Sequence, residues 1–220
     1  MDSSTQDGLF DESLLERVVL LTPTENRASI ADGSFHYCST GQAIVDADYQ
    51  VIVVNELNNV AVDVEQFQPM IENTSARMGR LPGEVLVDAG YCSKKNLEYA
   101  HTLEAQSGGE TEFFIATGRQ KHGGTPADGD GRLPADASLR ERMAAKLKTE
   151  RGHKVYVTRK AIVEPVFGQI HTRQGKHVLL RGLEQAGHEW DLIAGCHNLM
   201  KPFTKQVKDA QTAQAAAAGA

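Results

Sequence analysis

The sequence predicts an α/β fold, a mixed sheet flanked by helices, on three observations. Short β-branched or aromatic runs (Gln42–Val45, Tyr49–Val54, Glu84–Asp88 and Glu112–Ala116) alternate with stretches of helical periodicity. The first two runs are parted only by Asp46–Ala47–Asp48, a plausible tight turn, so they form a hairpin. The later runs are separated by helices, and strands joined that way pair in parallel, so the sheet is mixed.

Taken in order, Leu14–Leu21 is an apolar stretch that periodicity leaves open between helix and strand. Phe35–Tyr37 reads as extended ahead of the hairpin, whose second arm is β-branched in the manner of a buried strand. Asp63, with Gln66 three residues on, resembles a capping box. Phe67, Met70, Ile71 and Met78 follow at helical spacing, Pro69 interrupts them, and Gly79 stops the helix. Glu84–Asp88 is a short buried strand ending in a carboxylate, with Ala89–Gly90 as its exit turn. Ser93 caps a second helix with Leu97, Ala100 and Leu103 facing inward. Residues 120–138 are rich in Gly, Pro and Asp and are expected to be a mobile insertion. Beyond them, residues 139–152 (LRERMAAKLKTERG) predict a basic amphipathic helix, Ile162–Ile170 a second and Leu179–Met200 a third. The tail from Asp209 is low-complexity and is expected to fray, or to continue a helix without packing.

The 220 residues suffice for one domain with a sizeable core. A chain 40% apolar and 24% charged is neither disordered nor a disulfide scaffold. Three cysteines, Cys38, Cys92 and Cys196, form no CxxC pair, which suits a reducing compartment. The acidic start lacks the features of a signal peptide, and no apolar run is long enough to span a bilayer. The expectation is a soluble, intracellular protein without a membrane partner. Its net charge of −6 hides an asymmetry. Residues 1–118 carry 6 basic and 19 acidic side chains, whereas residues 119–220 carry 17 basic and 10 acidic ones. Such a basic half can mark anion binding.

Three carboxylates stand out by position. Asp46 ends the first arm of the hairpin, and Asp88 ends a buried strand, where ligands of open α/β sheets collect. Were those two strands parallel neighbours, both acids would emerge at one edge. Glu164 lies beside the apolar stripe Val163, Val166, Phe167 and Ile170, with Lys160 and His171 on its face and Lys146, Lys148, Arg151, Lys154 and Arg159 upstream. Acids beside a basic strip suit metal-assisted phosphodiester chemistry: carboxylates hold hard cations, and bases hold phosphates. By spacing alone the pattern is more often that of turn, salt-bridged or solvent-facing acids.

The surrounding strings are more specific. Val87–Asp–Ala–Gly–Tyr91, and Tyr156–Val–Thr–Arg–Lys–Ala–Ile–Val–Glu–Pro–Val–Phe–Gly–Gln–Ile170, resemble signature blocks of bacterial insertion-sequence transposases with a DDE catalytic domain. Gln42–Ala–Ile–Val–Asp46 with Gln50–Val–Ile–Val53 resembles the first block, and the likeness runs over roughly residues 23–205. The resemblance implies a ribonuclease-H-like fold, and three acids binding two Mg²⁺ (or Mn²⁺) ions that cut transposon ends and join them to target DNA. It matches Asp46, Asp88 and Glu164 to those acids, with Asp48 as an alternative to Asp46, and it matches Tyr156, Arg159 and Lys160 to a basic lead facing DNA. His171 stands where the related Tyr-Arg-Glu-Lys signature has Lys. It could contact a phosphate with a pH-dependent charge. The resemblance further implies a bacterial, nucleoid-associated protein that can form a homo-oligomer on DNA.

Such transposases carry a longer N-terminal region, partly for DNA binding, where this chain has the unmatched residues 1–22. The expectation is a truncated copy: a DDE domain over 23–205, with its insertion, and a tail over 206–220. The alternative is a non-catalytic DNA-binding or assembly module derived from a transposase. Other motifs carry less. The eight histidines show no zinc-ligand spacing, Gly123–Gly124 follows no phosphate-loop pattern, Cys92 reads as an inert thiol, and Trp190 and His197 read as packed residues.

Overall fold

The computed structural model of the chain describes residues 16–21, 40–59, 63–118, 134, 136–175 and 178–218. The expected extended run Phe35–Tyr37 and most of the insertion read at 120–138 lie outside these residues. Five strands, β1 (Arg17–Leu21), β2 (Thr40–Asp46), β3 (Ile52–Asn58), β4 (Glu84–Val87) and β5 (Glu112–Ile115), form one sheet in the order β3-β2-β1-β4-β5. The pairs β1–β2 and β2–β3 are antiparallel, whereas β1–β4 and β4–β5 are parallel. Helices α1 (Phe67–Met78), α2 (Lys94–Gln106), α3 (Leu139–Lys148), α4 (Glu150–Gln174) and α5 (Leu183–Ala218) flank it. The fold is therefore α/β with a mixed sheet, consistent with the ribonuclease-H-like arrangement.

Within the ambiguous stretch at Leu14–Leu21, residues Arg17–Leu21 form the central strand, and Leu14 and Leu15 lie outside the described residues. Val18, Val19 and Leu20 are fully buried, so both faces are covered and no amphipathic period exists to betray the element. The faces are told apart at β5: Phe113 meets Phe67 of α1 with ring centres 6.0 Å apart, while Lys146 of α3 and Arg151 of α4 lie over Phe114. Burying each such ring contributes roughly 1.5–3 kcal/mol.

Both edges of the sheet are closed by side chains. On β5, the amide of Phe113 donates to Glu104 Oε1 at 2.7 Å and that of Ile115 to Met143 Sδ at 3.5 Å. On β3, the Asn198 amide of α5 both accepts from Ile52 N and donates to Ile52 O, each at 2.8 Å, replacing a missing strand. Here the strand runs past the expected Val54, because its polar second half faces α5, where Asn55 donates to Asp191 at 2.6 Å.

Two helix starts differ from expectation. Asp63 opens a 3-10 turn, and α1 begins after it at Phe67 without a side-chain cap, so Pro69 falls in the first turn where no amide is needed. The predicted helix over 139–152 is broken at Thr149, whose Oγ1 accepts from Gly152 N at 3.0 Å and starts α4 anew. Gly152 permits this corner, since a Cβ there would stand 2.0 Å from the Lys146 carbonyl oxygen. Among the described residues, no helix is long and apolar enough to cross a membrane.

Candidate functional site at the end of β4

Asp88 follows β4 in an extended conformation, and its Oδ1 accepts from Ala89 N at 2.8 Å, which turns the chain out of the sheet. The carboxylate stays 44% exposed. Helix α4 packs here because its apolar stripe (Val155, Ile162, Val163, Val166, Phe167 and Ile170) is buried. The Tyr156 hydroxyl donates to Val87 O at 3.2 Å, and burial pushes its pKa up to about 12. Tyr156 is thus buried against the strand and does not face outward as the resemblance implied. Arg159 rests on its ring, with the guanidinium carbon 5.5 Å from the ring centre, and places Nη1 3.4 Å from Asp88 Oδ1.

Glu164 follows Arg159 by five residues, about 7.5 Å along the helix axis, and is exposed. Lys160 is also exposed, and His171 is half-buried with its ring 6.5 Å from that of Phe167. The end of β4 and helix α4 therefore bring Asp88, Arg159 and Tyr156 into contact, with Lys160 and Glu164 displayed on the same helix.

Asp46 is elsewhere. Strand β1 separates β2 from β4, and β2 runs antiparallel to it, with Asp46 opposite Val18 and Val18 beside Val85. From this register Asp46 and Asp88 lie about 10 Å apart along the strands and about 10 Å apart across them. They emerge at opposite edges, so the parallel-neighbour condition fails. Asp46 is completely buried, and its Oδ2 accepts from Tyr49 N at 2.8 Å while its backbone bonds Val51 and Gln50 across the hairpin turn. Asp48, the alternative, belongs to the same turn and the same distant edge. Two catalytic metals stand only about 4 Å apart, so Asp46, Asp88 and Glu164 as placed do not fit one metal pair. Among the described residues, no group of three or more His, Cys, Asp or Glu side chains is arranged to hold a metal ion.

The signature string also serves the fold. Pro165 lacks the amide that would bond the Ala161 carbonyl, and the Gln50 side chain donates to that oxygen instead, at 3.5 Å. Gln169 and Gln50 both accept from Lys201, at 3.1 and 3.4 Å, and His197 Nε2 bonds Gln50 O at 3.0 Å. Gln50 holds a left-handed φ of 56°, fixed from two helices. Burial, with Lys201 and Arg173 nearby, lowers the His197 pKa.

Residues 133–203 match the family described as transposase DDE domain. That segment is similar to transposase DDE domains. It spans α3, α4 and the first part of α5, including Tyr156, Arg159, Lys160, Glu164 and His171, and it does not reach Asp46 or Asp88. No curated protein and no solved structure matches the chain.

Sequence reasoning missed an alternating ion chain at the opposite edge. Glu84 binds Arg17 at 2.6 Å and Arg151 at 3.1 Å, Arg151 binds Glu112, and Lys146 binds Glu112 at 3.6 Å and Glu104 at 2.9 Å. The partners are up to 67 residues apart, and no local spacing encodes them. Lys146 and Arg151, read as part of a basic strip, are thereby committed to acids of the sheet edge.

Proposed function

We propose that this chain is a transposase-derived module that binds duplex DNA through the outer face of α4. The observation that carries the reading is the likeness of residues 133–203 to transposase DDE domains, on a helix that sets Arg159 beside Asp88 at the carboxyl end of β4, exposes Lys160 and carries the half-buried His171 further along. Guanidinium and ammonium groups there neutralise backbone phosphates, so affinity falls steeply with salt. Fluorescence anisotropy with a labelled duplex tests it: neutralising Arg159 and Lys160 together should weaken binding and flatten the salt slope by about two units. A duplex that does not bind at low salt removes the proposal.

A second reading is DNA cleavage and strand transfer of an insertion sequence, favoured by Asp88 and Glu164 being served by one helix. DDE transposases typically use a divalent metal, Mg²⁺ or Mn²⁺, which would activate a hydroxyl. Because the three expected acids do not fit one centre, no reaction step is assigned to it. Nicking of a supercoiled plasmid in Mn²⁺, lost in Asp88→Asn and Glu164→Gln, would establish this reading. Its absence leaves the binding module.

A further inference from the structure

We infer that Lys201 and Arg173 form a phosphate subsite where the end of α4 meets α5, and that it takes a backbone phosphodiester of duplex DNA. The inference rests on the reading that the chain binds DNA. It adds to Arg159 and Lys160 a contact borne by residues beyond the signature string, which ends at Ile170. The frame of the subsite is fixed from three elements. Gln50 of the β2–β3 turn is held at its carbonyl by His197 Nε2, at 3.0 Å, and its side-chain amide reaches the Ala161 carbonyl at 3.5 Å. The side-chain oxygens of Gln50 and Gln169 then both accept from Lys201 Nζ, at 3.4 and 3.1 Å. The ammonium is therefore positioned by two neutral oxygens, which leaves its third N–H for a further acceptor. Arg173 follows Gln169 by four residues, one turn of α4, so it stands on the side of the helix that holds Lys201. It is exposed, and a ligand can reach it.

Two cations set together in this way repel, and the Lys201 pKa is lowered by burial first and by Arg173 second. The nearest described acids of the three elements are placed elsewhere. Asp46 accepts from Tyr49 N, and Asp48 lines the amino-edge cleft with Arg17 and Arg80. Glu164 lies nine residues before Arg173, and Asp191 ten residues before Lys201. Along a helix axis those separations are about 13 and 15 Å. An oxyanion relieves the repulsion, because an ammonium and a guanidinium can both donate charge-assisted hydrogen bonds to one phosphate.

Fluorescence anisotropy of the full chain with a labelled duplex tests this. Arg173→Gln, at an exposed position, should weaken binding about five- to tenfold at about 0.1 M salt and lower the salt slope by about one. Lys201 also joins α4 to α5, so its part is read in the wild-type protein. Its Nζ resonance should shift as duplex is added, and sodium chloride at matched ionic strength should not reproduce the shift. Unchanged affinity and salt slope in Arg173→Gln, or a Lys201 resonance that duplex leaves in place, overturns the inference while the DNA reading stands. A resonance that responds to inorganic phosphate and not to duplex would mark a free-phosphate site and overturn the assignment to DNA. A wild-type chain that binds no duplex at low salt removes the DNA reading itself, and the inference with it.

Discussion

The two ends of the sheet are built on opposite electrostatic plans. At the amino ends of β1, β4 and β5, three acids and three bases alternate in a chain of five ion pairs, the longest 3.6 Å, and Asp46 is sealed in the adjoining hairpin turn with no exposed surface. At the carboxyl end of β4, one ion pair of 3.4 Å joins a 44% exposed Asp88 to Arg159, and the buried Nε is left without an acceptor. Charges answered within the chain hold α3 and α4 to the sheet. The Asp88 carboxylate, 44% exposed and held by one ion pair at the carboxyl end of a parallel strand, is open to a ligand. The difference supports the proposed division, with stability at one edge and ligand binding at the other, although both are rich in ionisable residues.

Substitutions that separate stability from binding can break this contrast. The largest effect is expected at the α3–α4 corner: Gly152→Ala drives a methyl into the Lys146 carbonyl and should cost about 3 kcal/mol or more in urea unfolding. Wild-type stability there would show that the corner opens freely. Next, Asp46→Ala removes a buried cap of the hairpin and should cost about 1–3 kcal/mol. Asp46→Asn should keep duplex affinity within about twofold. A Mn²⁺-dependent nicking activity abolished by Asp46→Asn in a stably folded protein would contradict the division between the edges.

The pH response sharpens the comparison further. His197 binds a proton less readily when folded than when unfolded, so the unfolded chain takes up more protons as pH falls below about 6.5. Stability contributed by neutral His197 is present above that value and is lost as pH drops toward the lowered pKa. Chemical denaturation between pH 8 and 5 should show that slope, and His197→Gln should reduce it. An unchanged slope would place the titrating group elsewhere. The smallest effect is expected from Asp88→Asn, which should cost about 1 kcal/mol or less, since the carboxylate is 44% exposed although its partner Arg159 is largely buried. A large loss of stability would make Asp88 as structural as Asp46.

Much of the architecture was legible locally. Ser93, Gly79 and the Asp46–Asp48 turn mark their elements because caps and turns are encoded within a few residues. Thr149 was not read as a cap, because the helical period of residues 139–152 runs through it, and only the close approach of Gly152 to Lys146 shows why the chain must bend. The site was legible as a set of residue types and not as an arrangement. The string around Glu164 is specific, yet Pro165 and Gln169 are explained by Gln50, more than a hundred residues away.

By itself, the sequence determined the α/β class, the hairpin, the strand ending at Asp88 and a helix around Glu164, because hydrophobic period and end signals are local, whereas the extension of that helix back through Arg159 to Glu150 was not read. Only the tertiary structure decided which acids meet. That depends on β1 lying between β2 and β4 and on the opposite directions of those two strands. Strand order is fixed by burial of the whole sheet between its helices, a property no single segment carries, and it leaves Asp46 and Asp88 at opposite ends of the same sheet.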